Sequence, residues 1–249
     1  MKYDVVYILK NDYNSEELRY SLRSVVMNFP FNRIIFVGGC PCDITPDIMI
    51  KDLQVGKTKW ERSMGSLKKA LKDDRLTENI WLFNDDFFIL DRFTSEVNFF
   101  NGSLEKRVLD LKFANPRCSA YIRSLELLRG QLIRMRKDTL SFALHVPFLI
   151  NRSKALTLME TVKDHQMFRS LYGNYYKIPC TYMEDVKIYD KETLPEEWMC
   201  STTDESFKEG KCGEFLRRYF NTPTKYEKQE DHFNCKERFT EEGDIIYVQ

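Results

Sequence analysis

Two adjacent aspartates follow an apolar run and form the pair with the clearest chemical meaning in the sequence. Asp85 and Asp86 come after Asn79–Phe83 and Asn84, where a buried strand is predicted to end. Neighbouring carboxylates repel each other in apolar surroundings, and a hard cation such as Mg²⁺ or Mn²⁺ removes that cost. We therefore expect a Mn²⁺ or Mg²⁺ site at Asp85 and Asp86, where the metal would neutralise a leaving diphosphate. The alternative is a solvated aspartate pair in a turn.

Two sets of arginines could bind anions. Arg19 and Arg23 lie four residues apart, hence on one face of a predicted helix, and two guanidinium groups there suit a phosphate or a carboxylate. The alternative for these two is a surface helix paired with Glu16. A second set lies in a predicted helix over residues 121–137 and suits an anionic acceptor groove: Arg129, Arg134 and Arg136. The alternative for the second set is a solvated helix face.

One histidine and several cysteines complete the candidate groups. His145 stands in an apolar segment just before Val146 and a proline, where a histidine serves either as a base or as a hydrogen-bonded core side chain. The chain has seven cysteines, an odd number, which indicates reduced thiols. A zinc site would have to gather four residues whose spacing matches no short zinc motif: Cys200, Cys212, His232 and Cys235.

Alternating strand and helix patterns predict the scaffold that positions these groups. Strands are expected at Tyr3 to Leu9, Arg33 to Val37 and Asn79 to Phe83, with helices between them at residues 16–29 and 61–72. Such alternation indicates an α/β fold with a mostly parallel sheet flanked by helices. Ligands of these sheets bind beyond the carboxyl ends of the strands, where Asp12 and Asn84 also lie.

The second half of the chain is less regular and predicts an α+β extension. Helices are expected at residues 154–161, 165–171 and 204–219, and an extended segment at residues 141–150. We expect a core over residues 1–150 and an extension over residues 151–249 that completes the acceptor side.

Composition excludes several classes of protein. The chain has 249 residues, 43% of them hydrophobic, which excludes a disordered or fibrous protein. Its formal net charge is zero, so nothing attracts the whole chain to nucleic acid or to an anionic membrane. No apolar run reaches the ~20 residues that span a bilayer, and no signal peptide follows Met1. We expect a cytoplasmic protein, in a bacterial or phage-infected cell.

Several strings resemble conserved regions of the Stealth family, which includes capsular polysaccharide phosphotransferases and the lysosomal-enzyme N-acetylglucosamine phosphotransferase. The most specific are Glu17-Leu18-Arg19-Tyr20-Ser21-Leu22-Arg23-Ser24-Val25 and Phe83-Asn84-Asp85-Asp86. Three further strings fit in order: Asp4-Val5-Val6-Tyr7, Pro30-Phe31-Asn32-Arg33-Ile34-Ile35-Phe36-Val37 and Leu144-His145-Val146-Pro147.

The resemblance implies a nucleotide-sugar-binding core related to GT-A glycosyltransferases. It also implies a divalent metal at Asp85 and Asp86, and His145 facing the same site. The family's first region usually continues Thr-Trp-Val-Asp-Gly, whereas this chain has Ile8-Leu9-Lys10-Asn11-Asp12, so its acidic position is displaced to Asp12. The departure falls where the donor or the acceptor should sit.

These observations together predict a metal-dependent transferase that moves a sugar, or a sugar 1-phosphate, from a nucleoside-diphosphate sugar such as a UDP-sugar to an acceptor hydroxyl on a glycan. Catalysis is assigned to His145 and Asp86, and donor binding to four residues: Asp12, Arg19, Arg23 and Asn84. Three alternatives stay open. They are a phage-type enzyme that glycosylates a hydroxylated DNA base, a non-catalytic nucleotide-sugar-binding module, and a metal nuclease or phosphatase.

Overall fold

The computed structural model describes residues 3–11, 16–114, 117–162 and 167–228, and the backbone of two further strands at 236–239 and 245–248. The strands in this part of the chain are β1 Tyr3–Leu9, β2 Phe31–Gly38, β3 Cys40–Pro41, β4 Ile48–Ile50, β5 Asn79–Phe83, β6 Phe87–Ile89, β7 Asn98–Phe100, β8 Phe148–Asn151, β9 Cys180–Tyr182, β10 Lys187–Ile188, β11 Met199–Thr202, β12 Lys236–Phe239 and β13 Ile245–Val248. The helices are α1 Glu17–Asn28, α2 Lys59–Lys72, α3 Leu104–Ala114, α4 Ser119–Arg134, α5 Arg152–Thr161, α6 Phe168–Tyr176, α7 Asp204–Lys208 and α8 Lys211–Tyr219.

A five-stranded sheet in the order β4-β2-β1-β5-β8 forms the centre of the fold. Strands β4, β2, β1 and β5 run parallel, and β8 pairs antiparallel with β5 at one edge. Helix α1 connects β1 to β2 and helix α2 connects β4 to β5, whereas β2 and β4 are joined through β3 without a helix. The fold is therefore α/β with a mixed, mostly parallel sheet, as the alternating pattern predicted.

Both faces of the central strands are buried, which explains why β1 and β5 are continuous apolar runs. On one face Val6 and Leu82 pack in a cluster with residues of α2, α4 and α5. On the other face Val5 and Trp81 pack in a second cluster with residues of α1. This burial on both sides fixes the direction in which the ends of β1 and β5 point.

The helix bounds follow local signals in the sequence. Helix α1 ends at Asn28, two residues before Pro30, whose ring would clash with a continuing helix. Helix α2 begins after Thr58, whose side chain accepts a hydrogen bond from the Glu61 amide in a capping box. The two helices predicted nearest the first three strands are therefore present with small shifts of their ends.

Two predictions for the second half need correction. The single helix expected over residues 204–219 is two helices, α7 and α8, separated at Gly210, where a Cβ would lie 2.5 Å from the Ser206 carbonyl oxygen. The extended segment expected over residues 141–150 contains strand only from Phe148, because Pro147 has no amide hydrogen for a ladder. The helix expected over residues 165–171 begins at Phe168, and His165 lies outside the described residues.

A second sheet, in the order β10-β11-β6, places residues from the later part of the chain beside the end of β5. Strand β11 pairs antiparallel with β6, which directly follows Asp86, and β10 pairs parallel with β11. Residues after 151 therefore contact the predicted core beside Asp86. The division at residue 150 stays a prediction. In the described residues no helix combines the length and the apolar character that spanning a membrane requires.

Candidate functional site

Asp86 lies between the end of β5 and β6, and its two carboxylate oxygens have different surroundings. Lys187 Nζ donates to Oδ2 at 2.5 Å, and Ser201 Oγ donates to the same oxygen at 3.0 Å. Oδ1 is buried and has no hydrogen-bond partner among the described residues. A buried carboxylate oxygen without a partner is costly unless a cation or a donor from a ligand reaches it. Asp86 therefore has one oxygen held by the protein and one buried oxygen without a partner among the described residues.

Asp85 and Asp86 suit a divalent cation whose coordination is completed by oxygen atoms of a substrate. Asp85 precedes Asp86 and, like it, is half-buried. Within the described residues no group of three or more His, Cys, Asp or Glu side chains is gathered as a cage for a metal. Mg²⁺ is usually held by one or two carboxylates, with phosphate oxygens and waters completing its octahedron. Asp86 Oδ1 and the Asp85 carboxylate could hold such an ion.

His145 forms a close pair with Asp185. The ring Nδ1 lies 2.9 Å from Asp185 Oδ2 and 3.1 Å from Oδ1, and the His145 backbone amide donates to Oδ1 at 3.0 Å. Burial alone would raise the pKa of Asp185, but the hydrogen bonds and charge of His145 outweigh it and lower that pKa. Because an ionised carboxylate can only accept a hydrogen bond, a neutral His145 in this pair would have its proton on Nδ1 and its lone pair on Nε2.

The His145 ring is accessible rather than sealed in the core. Its side chain is 32% exposed, whereas the flanking Leu144 and Val146 are buried. The backbone at this point is therefore anchored by its neighbours while the ring meets solvent. This geometry suits a base better than a core histidine.

Arg169 on α6 links the two acidic positions. Its guanidinium donates to the carbonyl oxygens of Leu144 and Val146, at 3.0 Å and 2.8 Å, on either side of His145. Burial lowers the pKa of Arg169 to about 10, although the negative charges of Asp86 and Asp185 act in the opposite direction. Arg169 is therefore a cation at neutral pH, within electrostatic range of both carboxylates.

Arg19 and Arg23 lie in a buried ion-pair network. Arg23 donates from Nε and Nη2 to Glu227 at 2.9 Å and 2.6 Å, and from Nη1 to the Phe220 carbonyl oxygen at 2.8 Å. Arg19 donates to Glu227 at 3.0 Å and to Asp43. The structure thus pairs both arginines with acidic residues other than Glu16, and their assignment to the donor stays a prediction.

The remaining predicted site residues lie on the surface or outside the described residues. Asn84 is exposed beside Asp85, and Asp12 lies outside the described residues. Arg129 forms an ion pair with Glu105 at 3.3 Å. The other two predicted acceptor residues are exposed: Arg134 on α4 and Arg136 beyond its end. These three arginines have the surroundings of the solvated face that the sequence left as an alternative.

The cysteine alternative can be followed only in part. Cys200 on β11 and Cys212 on α8 are buried, and their thiols are hydrogen-bonded to each other. His232 and Cys235 lie outside the described residues. The structure therefore brings together two of the four residues considered for zinc, Cys200 and Cys212.

Sequence reasoning missed three residues of this site, Arg169, Asp185 and Lys187. The one signal in the sequence for Lys187 was its position between two apolar residues, Val186 and Ile188, in a run typical of a strand. Its side chain is only 10% exposed because its ammonium group is paired with Asp86. Nothing in the local sequence distinguishes Asp185 or Arg169 from surface charges.

No model of a known protein family matches the chain, and no curated protein matches it either. The resemblance to the Stealth family therefore depends on the quoted motifs alone.

Proposed function

We propose that the protein is a metal-dependent transferase that uses a nucleoside-diphosphate sugar and transfers its sugar, or its sugar 1-phosphate, to a hydroxyl of a glycan. The observation that carries the proposal is the buried Asp86 Oδ1 without a partner, at the carboxyl end of a central parallel strand. Open α/β sheets bind their ligands at such an end. A GT-A-like arrangement of the nucleotide and the metal is part of this proposal.

Asp85 and Asp86 are the residues that would hold Mn²⁺ or Mg²⁺. When bound, the ion supplies positive charge to the diphosphate. Lys187 holds Asp86 through Oδ2, and Oδ1 has no partner among the described residues. Arg169 adds a fixed cation within range of Asp86, and a guanidinium group suits the negative charge of a phosphate.

His145 is the proposed general base. Its Nε2 would accept the proton of the acceptor hydroxyl as that oxygen attacks the donor, and Asp185 would stabilise the imidazolium that forms. Arg169 holds the backbone on both sides of His145 and thereby limits the movement of the ring. The same base serves attack on the anomeric carbon and attack on the β-phosphorus.

A product assay tests the activity and separates these two reactions. The protein is incubated with Mn²⁺, a panel of UDP-, GDP- and ADP-sugars and a mixture of glycan acceptors, and the released nucleotide is identified. Glycosyl transfer releases the nucleoside diphosphate, whereas sugar-phosphate transfer releases the monophosphate. Release of neither nucleotide from any donor, or equal release in excess chelator, contradicts the proposal.

Variants of the histidine pair test the base with the same assay. His145→Gln should lower turnover by about 10²–10⁴-fold, the usual contribution of a general base, and Asp185→Asn should lower it by a smaller factor. The melting temperature of His145→Gln should change little, because its ring is partly exposed. A stable His145→Gln protein with normal turnover would assign this histidine to structure instead.

A further inference from the structure

Arg107 on α3 lies within electrostatic range of Asp185, the partner of His145. Its charge lowers the pKa of Asp185, and its guanidinium is hydrogen-bonded to the Tyr121 side chain of α4. Its Nε is buried and has no hydrogen-bond partner among the described residues. A buried N–H group without an acceptor is destabilising, so the position favours an incoming oxygen or a bound water.

Two tyrosines lie beside Arg107. Tyr121 is half-buried, whereas Tyr189 is 63% exposed directly after β10. The charges of both Arg107 and Asp185 act on each of the two phenols, so the four side chains lie within electrostatic range of one another. Partial burial raises the pKa of both tyrosines. A phenol is neutral at neutral pH even without such a shift, so both can donate hydrogen bonds. An exposed aromatic ring next to hydrogen-bonding groups suits the apolar face of a sugar.

We propose that Arg107, Tyr121 and Tyr189 form the acceptor subsite and that they bind a sugar that carries an acidic group, either a carboxylate or a phosphate ester. The inference rests on the proposed function, because it takes His145 as the base. A sugar whose acidic group is held by Arg107 would lie within electrostatic range of Asp185, and in this proposal one of its hydroxyls reaches His145. Both oxygens of Asp185 are occupied by His145, whereas Arg107 Nε is a buried donor that lacks an acceptor among the described residues.

The cluster differs from the arginines that the sequence suggested for the acceptor. Arg129 is paired with Glu105, and its side chain is 38% exposed. It therefore lacks the two features on which the inference depends, a buried donor without an acceptor and a carboxylate shared with His145. Arg129 provides a matched control, because it is an arginine on α4, the helix that carries Tyr121.

Ligand-observed NMR with three small sugars tests the subsite. Glucuronic acid, glucose 6-phosphate and glucose are titrated into wild-type protein, Arg107→Gln and Arg129→Gln. We expect at least one acidic sugar to bind the wild type about tenfold more tightly than glucose, and Arg107→Gln to lose that preference while Arg129→Gln keeps it. The acidic sugar that binds more tightly identifies the carboxylate or the phosphate ester as the recognised group. Equal binding of all three sugars, or equal loss in both variants, overturns the inference.

Two further measurements keep the result interpretable. If Arg107→Gln does not fold, Tyr189→Ala replaces it, and weaker binding of all three sugars is then expected; unchanged binding overturns the inference. UDP binding with Mn²⁺ is measured by calorimetry on the same wild-type sample. If the wild type binds UDP but shows no preference for acidic sugars, only the subsite is rejected. If it neither binds UDP nor prefers acidic sugars, the proposed function is rejected as well.

Discussion

Glu227 is the acceptor at the centre of the network that holds Arg19 and Arg23, and we expect Glu227→Gln to destabilise the protein strongly. Its side chain is 1% exposed, and both arginine side chains are less than one-fifth exposed, at 17% and 9%. Removing one partner of a buried ion pair costs about 3–5 kcal/mol, because the other charge stays buried without compensation. For a chain of this size each kcal/mol lowers Tm by about 2–4 °C, so the expected fall in Tm is roughly 6–20 °C.

Urea unfolding followed by circular dichroism measures this loss. Glu214→Gln is the matched control, because Glu214 pairs with Arg218 on one helix and both side chains are more than half exposed. An exposed pair of this kind contributes about 0.3–0.5 kcal/mol. If Glu227→Gln costs no more than Glu214→Gln, the network is not buried in solution. That result would favour the assignment of Arg19 and Arg23 to a donor phosphate, as the sequence suggested.

The pH dependence of stability gives an independent check on Glu227. Burial would raise its pKa, but hydrogen bonds from Arg23 and from the Thr224 amide, together with both arginine charges, outweigh burial and lower it. A carboxylate with a lowered folded-state pKa stabilises the protein above its unfolded-state pKa, and that contribution is lost as the pH falls through the folded-state value. The wild type should therefore lose stability in acid more steeply than Glu227→Gln.

The remaining predictions concern local structure and are measured by urea unfolding. Gly65→Ala should stabilise α2 by about 0.5–1 kcal/mol, because nothing lies within 4 Å of the added Cβ. Gly213→Ala should cost at least about 1–3 kcal/mol, because its Cβ would lie 1.7 Å from the Phe207 carbonyl oxygen; a neutral effect would mean that α8 shifts freely. Thr58→Ala should cost about 1 kcal/mol through the lost cap, and no loss would show that α2 does not need it. Asp4→Asn should cost about 1–3 kcal/mol, since this buried carboxylate accepts hydrogen bonds from a guanidinium and a backbone amide, and an unchanged midpoint would contradict that geometry.

The central sheet could be predicted because its signals are local. Strands Tyr3–Leu9 and Asn79–Phe83 have the bounds that their apolar runs indicated. Residues 141–147 are mostly apolar as well, but they form no strand, since Pro147 cannot donate and Arg169 binds two of the carbonyl groups. The competing hydrogen bonds come from a helix about twenty residues later, so the segment's own pattern could not reveal them.

The candidate site divides in the same way. Asp86 and His145 were visible as polar residues in apolar surroundings. Their partners are remote: Lys187 is 101 residues from Asp86, and Asp185 is 40 residues from His145. The pairing of β11 with β6 brings these residues together, and each of the strands involved has only two to four residues. Strands this short leave little periodicity in the sequence.

The ion pair of Asp86 with Lys187 determines how the proposed metal site must be tested. Asp86→Asn alone would leave the Lys187 ammonium group buried without its counter-ion, and a loss of folding could be mistaken for a loss of binding. The double variant Asp86→Asn with Lys187→Met removes both charges and avoids that penalty. Asp74→Asn is the control, because Asp74 is an exposed aspartate in the turn after α2.

Calorimetric titration of a UDP-sugar in the presence of Mn²⁺ measures whether Asp86 holds a metal ion on which nucleotide-sugar binding depends. We predict that the wild type and Asp74→Asn bind the nucleotide sugar only when Mn²⁺ is present, and that the folded double variant at Asp86 and Lys187 does not bind it. Binding that persists in the double variant, or that is unchanged by excess chelator, would contradict the account.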